Sequence, residues 1–105
     1  MKLSIDTIQK LCTQGKIRWT VHGLERLQER DIRIADVKNC ILNGEIIEEY
    51  PDDYPHPSCL VFGYTVNHVV LHLVVGADEN YIYVITAYYP DTIKFEDDLK
   101  TRRRH

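Results

Sequence analysis

The chain has 105 residues, a formal net charge of −3, 44% hydrophobic and 28% charged residues. That size fits one domain with a modest core and is too short for two. The acid-leaning balance argues against nucleic-acid binding through overall charge, and no apolar run approaches the roughly 18 residues of a membrane span.

In chain order, Ser4 is placed to cap a helix over about 5–14, with Ile5, Ile8, Leu11 and Cys12 on one stripe and Gly15 as the stop. Residues 16–19 read as a short connector or strand. Thr20 is a second cap, for a helix over about 21–30, and Ile34, Ala35, Val37, Cys40 and Ile41 mark a third, ended by Asn43-Gly44. The period then changes. A loose strand over 45–50 leads into a loop with three prolines, residues 51–58, and β-rich runs follow at 59–65, 69–75 and 81–89. The connections are too short for parallel crossovers. The expected fold is therefore α+β, one domain over 1–105, with N-terminal helices packed on a four-stranded antiparallel meander. The run 69–75 is apolar apart from His72, as in a central strand covered on both faces. A short helix is expected over 94–102.

Cys12, Cys40 and Cys59 are odd in number and widely separated, which suits buried free thiols better than metal ligands. With no signal-like h-region at the start, the expected location is the cytoplasm. No metal and no cofactor is expected.

Four features carry candidate chemistry. His22, Arg26 and Arg30, spaced i, i+4 and i+8, fall on one helix face. Arginine forks suit phosphate oxygens, and histidine exchanges protons near neutrality. Glu25 and Glu29 beside them fit a plain solvated face equally well. His72 stands alone in its apolar strand, either as a hydrogen-bonded core residue or as a proton carrier beside a polar cavity. Thr86 and Tyr88 share one strand face and, in simple register, line the same surface as His72. Lys100 and the run Arg102-Arg103-Arg104 form a basic tail, either mobile or on a phosphate backbone; Arg103 is its candidate substrate contact.

The order of these motifs resembles a family of small bacterial domains without assigned function. The resemblance runs through His22-x-x-x-Arg26-x-x-x-Arg30-Asp31-Ile32, Asn43-Gly44-Glu45-Ile46-Ile47-Glu48-x-Tyr50-Pro51, Pro57-Ser58-Cys59-Leu60, Leu71-His72-Leu73-Val74-Val75 and Ile85-Thr86-Ala87-Tyr88-Tyr89-Pro90-Asp91. That family is in turn similar to the RelE-like toxins of type II toxin–antitoxin systems, within the barnase- and colicin-like RNase group. The resemblance implies helices on a four-stranded antiparallel sheet and metal-independent mRNA cleavage through 2′-hydroxyl attack. It also implies a cognate antitoxin, of zinc-finger and helix-turn-helix type in some relatives. In this reading His22, Arg26, His72 and Tyr88 are catalytic, and Arg30, Thr86 and Arg103 bind the RNA substrate. The alternative is a non-catalytic module that binds protein or RNA.

Overall fold

A computed structural model describes residues 3–104. Three helices, α1 (Ile5–Thr13), α2 (Val21–Glu29) and α3 (Ile34–Leu42), accompany five strands. These are β1 (Ile17–Trp19), β2 (Glu45–Tyr50), β3 (Ser58–Tyr64), β4 (Val70–Ala77) and β5 (Ile82–Tyr88). The sheet order is β1-β5-β4-β3-β2, with β1 parallel to β5 and every other pairing antiparallel.

The coarse α+β expectation holds, but the sheet is five-stranded and mixed rather than a four-stranded antiparallel meander. The added strand is the short segment before α2. Its three residues are too few to show a period, and its ladder is supplied by a partner far along the chain, through Ile17↔Ile82, Arg18↔Tyr83 and Trp19↔Val84. The antiparallel part, β2 to β5, is as expected, and β4 is the middle strand.

Both faces of that middle strand are covered. Leu71, Leu73, Val75 and Ala77 join Val61, Cys59, Val84 and Ala87 in the main core with Ile8, Leu11, Val37, Cys40 and Ile41 of the helices. On the other face Phe62 and His72 are buried beneath the C-terminal segment, whose own Phe95 is buried against His72. Cys12, Cys40 and Cys59 are free and buried; burial pushes the Cys40 and Cys59 thiols up to about 12, well above a reactive range.

That C-terminal segment is not the helix expected over 94–102. Aspartates at its bends bind backbone that a helix would need. Asp91 accepts from the N–H groups of Ile93 and Lys94, and Asp98 accepts from those of Lys100 and Thr101. Leu99 is left-handed at φ 58°, and Phe95 and Arg102 pair across an isolated antiparallel bridge. The result is a looped strap, tied to edge strand β2 by the Arg102–Glu48 and Lys100–Glu45 ion pairs at 3.0 and 2.9 Å.

Strand β1 covers β5 only as far as Val84, so α2 finishes the edge. Thr20 Oγ1 accepts from the Gly23 N–H at 2.9 Å, capping α2, and donates to the Val84 carbonyl at 3.0 Å. Helix and strand meet so closely that a Cβ on Gly23 would lie 2.6 Å from the Val84 carbonyl oxygen and 2.7 Å from Thr20 Oγ1. Gly23→Ala would gain about 1 kcal/mol of helix propensity and lose about 1–3 kcal/mol to overpacking. We expect a net loss in urea unfolding, with α2 displaced from the edge; a stabilised variant would contradict this contact.

Candidate functional site

An open pocket of about 470 Å³ lies where the end of α2, the end of β5 and the strap converge. Arg30, Lys94 and Arg102 line it with Tyr88, Tyr89, Pro90, Asp91 and Phe95. Three cations against one lining carboxylate, with Glu48 behind Arg102, leave it net cationic and suited to an anion.

Arg30 is the C-cap of α2, and its Nη1 donates to the Ala87 carbonyl at 2.7 Å and to Thr86 Oγ1 at 3.3 Å. The side chain is thereby fixed on the open edge of β5, and the rest of its five N–H donors stay available. Arg102 is fixed from the other side. Its Nε and Nη2 form a fork onto the two Glu48 carboxylate oxygens at 3.1 and 3.0 Å, and its guanidinium lies over the Phe95 ring at 4.9 Å. The Arg102 fork holds the Glu48 carboxyl below its ordinary value, against the effect of burial, with help from the Tyr50 hydroxyl, which donates to it. Burial, reinforced by that bond, pushes Tyr50 up to about 12, so its proton stays on.

Behind the pocket, β4 and β5 place His72 directly across from Tyr88. His72 is fully buried (0% exposed), packed edge-on against Phe95 at 4.6 Å and Tyr88 at 5.3 Å. Its Nε2 faces the Leu99 carbonyl oxygen at 2.6 Å, an acceptor only, so Nε2 carries a hydrogen. Burial lowers the imidazole pKa below 6.5, more than the Leu99 bond and the Glu48 charge raise it, so the neutral form prevails at pH 7. Nδ1 is then an acceptor, and Tyr88 Oη, 3.2 Å away, donates to it. Burial likewise raises the Tyr88 pKa, opposed by Arg102. The phenol oxygen's lone pairs remain for a pocket ligand, with a proton acceptor already bonded behind it.

Of the residues singled out from sequence, Arg30 and Tyr88 line the pocket, His72 backs it through Tyr88, and Thr86 holds Arg30. His22 lies on the same helix face but outside the lining; its side chain is 86% exposed and pairs with Glu25 at 3.6 Å. Arg26 also lies outside the lining, paired with Glu29 at 3.2 Å. Arg103 turns to the strap's own acids, Glu96 at 2.7 Å and Asp97 at 3.5 Å, while its neighbour Arg102 enters the pocket. Sequence reasoning missed Lys94 and Glu48 as site residues and did not separate Arg102 from the basic run. The aspartates at 91 and 98 were a usable signal, since Asx turns there argue for a loop that folds back.

Among the described residues, no group of three or more His, Cys, Asp or Glu side chains is disposed to hold a metal ion. None of the described helices is long and apolar enough to cross a membrane. Residues 19–89 match the family described as a domain of unknown function, DUF4258. No curated protein and no solved structure matches the chain.

Proposed function

The chain belongs to the DUF4258 family, and from that premise we propose that it is an endoribonuclease that cuts single-stranded RNA by 2′-hydroxyl attack, acting as the toxin of a type II toxin–antitoxin pair. The observation that carries the reading is the meeting of Arg30, Lys94 and Arg102 around a tyrosine whose hydroxyl is bonded to a buried neutral histidine. The reaction class, a cognate antitoxin as partner and the cytoplasm as the place of action are what the resemblance of the motif order implies, by way of a family similar to the RelE-like toxins.

In this proposal the scissile phosphate sits against Arg30 and Arg102, both held by the protein before substrate arrives. Tyr88 Oη takes the 2′-hydroxyl proton as its own proton passes to His72 Nδ1. The 2′-oxygen bonds to phosphorus, the bond from phosphorus to the 5′-oxygen breaks, and the leaving oxygen takes a proton from water in the open pocket; the hydroxide left behind takes back the relayed proton from His72 through Tyr88. The products are a 2′,3′-cyclic phosphate and a 5′-hydroxyl. The new imidazolium keeps its Leu99 bond and gains from the Glu48 charge. Positive charge for the phosphorane-like state comes from Arg30, Lys94 and Arg102, so the step calls on no metal.

The deciding experiment incubates the purified chain with single-stranded RNA in EDTA and analyses the ends. Cleavage with cyclic phosphate ends is expected. RNA retained uncut would move the assignment to a binding module; cleavage that needs a divalent ion would end the metal-independent mechanism.

A further inference from the structure

We infer, on the RNA reading above, that Tyr89 and Asp31 form a base-recognition subsite beside the phosphate pocket, one that prefers guanine. A second hollow of about 370 Å³ adjoins the first. Asp31, Arg33, Asp36, Asn67 and Tyr89 are among its lining residues, and Tyr89 lines both hollows. The consecutive residues Arg30 and Asp31 divide between them, the arginine lining the first and the aspartate the second.

The two hollows have opposite character. The first is cationic. The second holds two carboxylates against one guanidinium, and Arg33 Nε is already paired with Asp36 at 3.5 Å. A phosphate is favoured in the first and repelled by the second, whereas a neutral base is not. Tyr89, which lines both, is 42% exposed, and a tyrosine face is a platform for an unpaired base. A strand with its phosphate on Arg30 and Arg102 thus meets a stacking surface in the lining that the two hollows share.

Selection among bases falls to the carboxylates. Asp36 is occupied by the backbone N–H groups of Arg33 and Val66 and by Arg33 Nε. Burial favours its neutral form, but those bonds and the Arg33 charge outweigh it and hold the carboxyl below its ordinary value. Asp31 donates its backbone N–H to the Gln28 carbonyl, and its carboxylate has no partner among the described residues. A free carboxylate only accepts. Guanine offers it two adjacent donors on its Watson–Crick edge, N1–H and the N2 amino group; adenine and cytosine offer one amino group each, and uracil one N3–H.

The test uses tetranucleotides with 2′-O-methyl riboses, which this chemistry cannot cut, carrying G, A, C or U at one internal position. Affinities are measured for the wild-type chain and for Tyr89→Ala, Tyr89→Leu, Tyr89→Phe, Asp31→Asn and Arg102→Ala, with inorganic phosphate as a second probe. Loss of the stacked base in Tyr89→Ala and Tyr89→Leu is expected to weaken tetranucleotide binding about 5- to 150-fold. Tyr89→Phe should stay within about twofold of wild type, because it keeps the ring face. Asp31→Asn should abolish the preference for G, costing the G tetranucleotide far more than the U tetranucleotide, whose base offers a single donor. Phosphate affinity should fall far more in Arg102→Ala than in any Tyr89 or Asp31 variant. If both Tyr89 truncations bind the G tetranucleotide like wild type while Arg102→Ala loses it, the subsite is refuted and the phosphate pocket stands. Equal wild-type affinity for all four bases overturns the role of Asp31. A wild-type chain that binds phosphate but no tetranucleotide overturns both the subsite and the RNA reading.

Discussion

Phe95→Ala is expected to lower unfolding stability by about 3–5 kcal/mol, as large as any aromatic truncation in a core. Phe95 is 1% exposed, touches the His72 ring edge-on at 4.6 Å and carries the Arg102 guanidinium on its own face. It is the apolar anchor of a strap otherwise tied down by the ion pairs of Lys100 and Arg102 with β2, and partly exposed pairs are worth only about 0–1 kcal/mol each. A domain's whole stability is about 5–15 kcal/mol, so the loss would show plainly in the urea midpoint. A loss under about 1 kcal/mol would show that the strap does not depend on this ring.

The same variant has a pH signature. Burial holds the folded pKa of His72 below 6.5, so between those two values the unfolded chain binds more protons than the folded one. Stability from this group is complete above about pH 6.5 and is lost as pH falls toward the folded value. Opening the Phe95 site admits water to the ring and moves its folded pKa back toward 6.5. The acid-side loss should shrink accordingly, and an NMR titration of the His72 ring would measure the shift directly.

How far these features could be read from sequence depends on the range of the interaction. The three helices were legible because their apolar stripes, and the caps of the first two, lie within a few residues: Ser4 does accept from the Thr7 N–H, and Thr20 from that of Gly23. Strands β2 to β5 were legible from period two and turn chemistry. The role of 17–19 was not, because it exists only through pairing with 82–84. The strap shows the same limit. Its spacing permits a helix, and what rules one out is the sum of two Asx turns, a left-handed Leu99 and the bridge from Phe95 to Arg102.

The site divides along the same line. That His72 and Tyr88 share a face follows from strand periodicity once β4 and β5 pair, and the register does set them opposite each other despite a bulge between Val74 and Val75. Which of Arg102 and Arg103 reaches the pocket follows from no period. The bridge turns Arg102 toward Glu48 and leaves Arg103 to Glu96. The sequence points to Thr86 as a ligand contact, and in the structure its hydroxyl accepts from Arg30.

Tyr88→Phe isolates one oxygen, and on the proposed chemistry it is expected to reduce RNA cleavage by about 10²- to 10⁴-fold, the usual contribution of a placed acid–base group. The ring, and with it the packing on His72, is retained, so Kd for an uncleavable RNA should barely change. The unfolding cost should be about 1–3 kcal/mol, because His72 Nδ1 loses its donor. The acid limb of kcat/KM gives a further check. The step needs neutral His72, whose pKa lies below 6.5, so activity should persist below that pH and fall only as His72 protonates. Once protonated, Nδ1 donates to Tyr88 and can no longer accept its proton. His72→Gln should therefore remove the acid limb as well as the rate, whereas a residue that merely props up Tyr88 would lower the rate and leave the profile in place. Undiminished cleavage by Tyr88→Phe would take the relay out of the mechanism and leave the cations around the pocket to act alone.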